Sequence, residues 1–224
     1  MTQSLRHLVV ATATALLTCT CAVAPNSSLE PTANAIPTAA SVASGPVPTV
    51  EDADLARAKA AAAAFSGKLR SRLHASMQEG GPTAAIGVCH SEAPGIADAV
   101  MAEHGVRLGR VALPGRNRHP AHAAVDWQFP PLEQFQRAVA DGAPAASQVL
   151  VMREGLPDGV ALRMMRGIAT EPGCLACHGS TVAPAVRDAI ARHYPGDAAT
   201  GFDVGDLRGA LWVEVPLAQE QGLK

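Results

Sequence analysis

The chain of 224 residues is poor in aromatic side chains, since one tyrosine, two tryptophans and four phenylalanines make up 3% of it. A hydrophobic core must therefore be built mainly from Ala, Val, Leu and Ile, which a 48% hydrophobic composition supplies. The formal net charge is only −2 and no basic run is present, so there is no electrostatic case for a nucleic-acid partner. Internal repeats, nucleotide-binding motifs and hydrolytic triads are also missing from the sequence.

Long apolar runs are missing as well. The stretch from Leu8 to Leu17 follows Arg6 and is far shorter than the roughly 18 to 20 residues that cross a bilayer. Small residues ending in Ala22-Val23-Ala24 come next, so residues 1–24 are predicted to be a secretory signal peptide. We therefore expect an exported protein, periplasmic in a bacterium. A lipid anchor is the second choice, because Leu16-Leu17-Thr18-Cys19 resembles a lipoprotein box with an atypical threonine.

The segment 25–50 is rich in Pro, Ala, Ser and Thr and has almost no charge, which predicts a disordered tether. A folded domain is predicted over 51–224, opened by a capping box at Thr49. Its first helix carries an apolar stripe from Leu55 to Met77 and ends at Gly80-Gly81-Pro82. Later helices are predicted over 83–90, 92–104, 131–140 and 183–193, and strands over 106–113, 148–153, 160–168 and 207–217. This order favours an α+β domain, a central antiparallel sheet flanked by helices.

Cysteine is scarce, and its positions are informative. Cys19 and Cys21 lie within or beside the signal segment, whereas Cys174 and Cys177 belong to a C-x-x-C-H run that ends in His178. That run is the attachment pattern of one covalent c-type haem, in which both thiols form thioethers and the histidine is the proximal iron ligand. A zinc site would need two more ligands at similar spacing, and a thioredoxin-like pair would need a βαβ context, neither of which the sequence offers.

The sixth iron position is left open by these patterns. Cys89 has the strongest case, because it is a lone thiol of an exported chain near the end of a short predicted helix. His90 would point about 100° away from it on a helix, so only one of the two is expected to face the iron. The other candidates are Met101, Met152, Met164, Met165, His119, His122 and an open site.

Several blocks of the sequence together are similar to an uncharacterised family of c-type haem-binding domains, typified by a small cyanobacterial cytochrome. They are Ala85–Cys89, Ala93–Ala97, Gly109-Arg110, Arg116-Asn117, Asp126-Trp127, Cys174–Gly179, Tyr194–Ala198 and Gly201–Ala210. The resemblance implies a PAS-like sensor fold, with iron held by His178 and Cys89. It also implies relatives that form the extracytoplasmic part of sensor kinases or chemoreceptors. The segment between Asn117 and Asp126 departs from the family pattern and carries His119 and His122.

Arginines complete the predicted site. Arg110 and Arg116 are expected to pair with the haem propionates, since guanidinium groups bind carboxylates in bidentate fashion. We expect Asp197, Asp206 and Arg208 to fix the connection into the last strand.

The predicted function is a redox or small-ligand sensor, or an electron carrier, whose partner is a redox protein or a small gaseous or redox-active ligand. The alternative is a peroxidase-type haem enzyme with an open distal site, in which His119 or His122 acts with Arg116 or Arg118.

Overall fold

The structure is a computed structural model that describes residues 49–218. The predicted signal peptide and nearly all of the predicted tether lie outside these residues. Among the described residues, no helix is long and apolar enough to span a membrane. In chain order the regular elements are α1 (Val50–Gly87), α2 (Ala93–His104), β1 (Arg107–Ala112), α3 (Phe129–Ala140), β2 (Val149–Met152), β3 (Val160–Ala169), α4 (Leu175–His178), α5 (Pro184–His193) and β4 (Leu207–Pro216).

Helix α1 begins and breaks where the sequence predicts. The Thr49 hydroxyl accepts a hydrogen bond from the Asp52 amide at 3.2 Å, and the Asp52 carboxylate in turn accepts one from the Thr49 amide at 3.4 Å. This capping box satisfies amides that have no partner within the helix. Near the other end, Gly81 adopts φ 71° and ψ −168° directly before Pro82, so the helical path is interrupted there. Glycine tolerates this backbone conformation because it has no Cβ.

The four strands form one antiparallel sheet in the order β1-β4-β3-β2. Successive residues of β3 and β4 point to opposite faces of the sheet, and each face has its own hydrophobic core. Met164 is buried in the first core and its neighbour Met165 in the second. Helices α1 and α2 cover the first face, and α3 covers the second. The predicted α+β class, a PAS-like central antiparallel sheet flanked by helices, is thereby confirmed.

A third core cluster links the two parts of the chain on which the candidate site depends. Helix α5 contributes Val186 and Ile190, which pack against Ile86 near the end of α1. Cys177 packs against the same cluster. The C-x-x-C-H segment and the end of α1 are therefore neighbours, although about 90 residues separate them in the sequence.

Strand β4 begins with a β-bulge. Ile168 of β3 pairs with Gly209, but the next residue, Ala169, pairs with Leu207, so Arg208 has no partner on β3. Gly209 adopts φ 146°, and a Cβ atom there would collide with the carbonyl oxygen of Val111. The close approach of β1 and β4 at this point thus requires glycine, and the bulge redirects the side chain before it.

We expect the Gly209→Ala substitution to destabilise the folded protein by at least about 2 kcal/mol, because it combines an unfavourable φ with a backbone collision. Urea unfolding followed by circular dichroism measures the free energy of unfolding. Gly196→Ala is the matched control, since a Cβ there meets no atom within 4 Å. If both variants unfold at the same urea concentration as the native chain, the bulge geometry described here is wrong.

Candidate functional site

The two thiols of the C-x-x-C-H segment lie on consecutive short helical turns. A 3₁₀ turn covers Pro172–Cys174, and α4 follows directly. Cys174 and Cys177 are both unpaired and half-buried, and burial raises the pKa of the Cys177 thiol. The Cys174 sulfur accepts a weak hydrogen bond from the Glu171 amide at 3.4 Å. Within residues 49–218, no three His, Cys, Asp or Glu side chains are grouped so as to hold a metal ion by themselves.

His178 is oriented by a single strong hydrogen bond. Its Nδ1 lies 2.6 Å from the carbonyl oxygen of Ala199, which can only accept, so Nδ1 carries the proton and Nε2 keeps a free lone pair. Burial, assisted by the cations Arg208 and Arg118, lowers the pKa of His178 to about 2. The imidazole is therefore neutral at physiological pH, with Nε2 in the form that binds a metal.

Arg118 ties the C-x-x-C-H segment to the chain beyond α5. Its guanidinium donates to both oxygens of the Asp197 carboxylate at 2.9 and 3.1 Å, and it also donates to the Cys177 carbonyl oxygen at 2.6 Å. The Arg118 and Asp197 side chains are each only 10% exposed. A bidentate pair of this kind fixes the geometry of both chains that it joins. The sequence predicts that Asp197 fixes the connection into the last strand; in the structure its carboxylate binds Arg118, a partner that the sequence does not reveal.

A cavity of about 610 Å³, measured with its open mouth, lies between the first face of the sheet, the end of α1 and the C-x-x-C-H segment. Cys174 and Cys177 do not line it, but they share the turns that present His178. The lining residues are Cys89, Arg110, Val111, Ala112, Arg116, Arg118, His119, His122, Ile168, His178, Tyr194, Ala199, Phe202 and Arg208.

Cys89 reaches the cavity from a π-helical turn that covers Val88–Glu92. The Ala93 amide bonds to the Val88 carbonyl, five residues back, which rotates this turn relative to an α-helix. Val88 consequently enters the core of the first face, and Cys89 is half-buried at the cavity wall. The exposed His90 does not line the cavity and packs on the rings of His193 and Tyr194, with 4.7 and 5.5 Å between the ring centroids.

The candidates for the sixth iron position are thereby separated. Cys89, His119 and His122 line the cavity that contains His178. His90 and the four methionines Met101, Met152, Met164 and Met165 do not line it. Burial lowers the pKa of His122 to about 4, with smaller contributions from Arg110 and His119, so this imidazole is neutral at pH 7. The segment between Asn117 and Asp126, which we call the divergent loop, therefore supplies further nitrogen donors beside Cys89.

The cavity carries an excess of positive charge. Four arginines line it, and Arg118 is neutralised by Asp197. Arg116 donates to the Thr200 carbonyl oxygen at 2.6 Å, and its guanidinium lies 4.0 Å from the centroid of the Phe202 ring. Arg110 and Arg208 take part in none of the ion pairs formed within residues 49–218. Unneutralised guanidinium groups on a cavity wall suit a ligand with carboxylates.

The donor set fits a haem. Two free thiols stand three residues apart, a neutral imidazole exposes Nε2, a third thiol lies in the same cavity, and unpaired arginines lie where carboxylates can be bound. Sequence reasoning had placed Arg110 and Arg116 at such a site, and the structure puts both on the cavity wall. It interpreted Arg208 and Tyr194 as structural residues and did not single out Phe202, whereas all three line the cavity. The signal for Arg208 was Gly209, because a glycine inside a strand pattern often marks a bulge.

Comparisons with known proteins place the chain in a family. No curated protein matches it significantly. A crystal structure described as that of the cyanobacterial heme-protein Tll0287 is similar, with 29% sequence identity, a TM-score of 0.46, and coverage of 58% of this chain and 73% of the other. The model of the Tll0287-like family matches residues 32–216. Because that match extends over most of its length, the protein belongs to the Tll0287-like family.

Proposed function

We propose that this protein is an exported c-type haem protein with one covalently attached haem. In this proposal Cys174 and Cys177 would form the thioethers, His178 and Cys89 would hold the iron, and Arg110 and Arg116 would bind the propionates. The observation that carries the proposal is the common cavity of His178 and Cys89, with Nε2 of His178 left free. Membership of a family named after a protein described as a heme-protein supports it.

Other residues of the protein hold the proposed haem-binding side chains in place. The carbonyl oxygen of Ala199 keeps His178 in one tautomer and one orientation, which is what a second partner does for a ligating histidine. Arg118 and Asp197 hold the backbone at Cys177, so the second thiol is anchored from the side of the divergent loop. When bound, haem would supply an iron atom that alternates between the ferric and ferrous states.

Cys89 determines what kind of haem protein this is. A thiolate is a strong electron donor that favours ferric iron, so a lower reduction potential is expected than in cytochromes with methionine and histidine ligands. A cysteine that leaves its position on reduction would open a place for a small molecule. We therefore propose a redox or small-ligand sensor, with electron transfer to a redox partner protein as the closely related role.

The peroxidase-type alternative has less support from the cavity. His119 and His122 are available there as acid–base groups. The arginines that would accompany them are engaged, however, because Arg116 donates to Thr200 and Arg118 is paired with Asp197. A charge-stabilising arginine must have donors free for the reacting atoms, and neither residue meets this condition well.

Absorption and electron-spin-resonance spectra of the purified holoprotein test the proposed function. We expect a low-spin, six-coordinate ferric spectrum with sulfur and nitrogen axial ligands, because Cys89 and His178 share the cavity. The reduced pyridine complex should have the spectrum of a haem whose vinyl groups are saturated, as thioether bonds require. A high-spin ferric spectrum would contradict the Cys89 assignment, and absence of haem from protein matured in a competent periplasm would contradict the whole proposal.

A further inference from the structure

Arg208 has a buried guanidinium nitrogen without a hydrogen-bond partner among the described residues. This nitrogen is Nε. The residue as a whole is half-buried, and it lines the cavity. Burying a guanidinium N–H group without a partner is costly, because that group loses its hydrogen bond to water and gains none in return. Such a side chain in a cavity wall is suited to bind an anionic group of a ligand.

A β-bulge in the sheet sets the direction of the Arg208 side chain. Arg208 is the extra residue of the bulge at the start of β4, and bulges next to functional sites commonly redirect one side chain. Gly209 allows the bulge by letting β1 and β4 approach closely. Arg110, on β1, lines the same cavity, so the two arginines come from neighbouring strands of the sheet.

The protein groups around Arg208 do not neutralise it. Burial is the main cause of its lowered pKa, and the cations Arg110 and Arg118 lower it further, while the thiols of Cys174 and Cys89 act in the opposite direction. No carboxylate pairs with Arg208 among residues 49–218, and the carboxylate of Asp197 is bound to Arg118 through both oxygens. Arg110 and Arg208 thus remain as a pair of cations that face one cavity.

We propose that Arg208, together with Arg110, binds a propionate carboxylate of the haem and raises the reduction potential of the iron. This inference rests on the proposed function and revises its arginine assignment, because Arg116 is already committed to Thr200 and Phe202. The Arg208 guanidinium offsets the negative charge of the carboxylate, and without it that charge would favour the ferric state.

The test uses the full-length holoprotein with Arg208 replaced by glutamine, and measures the midpoint potential by spectroelectrochemical titration at pH 8. We expect the haem to remain covalently bound with unchanged axial-ligand spectra. The ferric state should gain about tenfold in relative stability, which is a fall of about 59 mV for a one-electron couple. Arg208→Lys keeps the charge and should restore most of the native potential.

Arg107→Gln is the matched control, because Arg107 lies on the same sheet but is exposed and outside the cavity. Its potential should equal that of the native protein. If Arg208→Gln does not fold, Arg110→Gln tests the same carboxylate from the other strand and should lower the potential in the same way.

The two proposals fail in different ways. A native chain that binds no haem would refute the proposed function. A native haem protein in which Arg208→Gln leaves the potential unchanged, or in which Arg107→Gln shifts it equally, would refute the role of Arg208 and leave the proposed function intact.

Discussion

Replacing both Cys174 and Cys177 with serine is expected to remove all covalently attached haem. A serine hydroxyl does not add to a vinyl group as a thiol does, so neither thioether can form. The variant should therefore lose its haem on denaturation, whereas the native protein should keep it. Mass spectrometry of the denatured chain and haem staining of a denaturing gel measure this directly, with a complete loss as the expected size of the effect.

Single variants make the result specific. Cys174→Ser and Cys177→Ser should each retain one thioether, at reduced yield. Cys89→Ser serves as the control, because this thiol lies on the π-helical turn and belongs to no C-x-x-C-H pattern, so its haem should remain covalently bound. Covalent haem in the double variant, or its loss from the Cys89 variant, would show that the attachment sites have been assigned incorrectly.

Much of the fold could be predicted because local signals determine it. Helix α2 ends at Gly105, which takes the left-handed conformation that a glycine stop provides. The predicted strand over 160–168 is observed as Val160–Ala169, and the last helix over 183–193 as Pro184–His193. In each case a regular apolar pattern coincides with a turn or cap residue, so local preference and tertiary structure agree.

The features that build the cavity are less local. The π-helical turn at Val88–Glu92 depends on how α1 and α2 pack together, and no residue type specifies it. The pair of Arg118 and Asp197 joins positions 79 residues apart, and the bulge at Arg208 depends on the contact of Gly209 with β1. Sequence patterns therefore indicate the candidate iron ligands and the cavity arginines Arg110 and Arg116, whereas the roles of Arg118 and Arg208 depend on contacts between distant parts of the chain.

The Cys89→Ala variant is expected to change the axial ligation and raise the reduction potential by on the order of 100 mV or more, within the roughly 0.8 V range that axial ligands span. The physical reason is the loss of a thiolate donor that stabilises ferric iron. The ferric absorption and electron-spin-resonance spectra report the ligand change, and redox titration reports the potential. The covalent haem content should not change, because Cys174 and Cys177 are intact.

His90→Ala is the matched control for this experiment, since His90 adjoins Cys89 in sequence but lies outside the cavity and packs on His193. Its spectra and potential should be native.

His119 and His122 line the cavity, so a nitrogen ligand can replace the missing sulfur. A triple variant that also lacks these two imidazoles distinguishes such replacement from an open site. A native low-spin spectrum in Cys89→Ala with a native potential would exclude Cys89 as the ligand. If His119 or His122 replaces the sulfur, Cys89→Ala should show a spectrum with two nitrogen ligands. The triple variant, which lacks both imidazoles, should not show that spectrum.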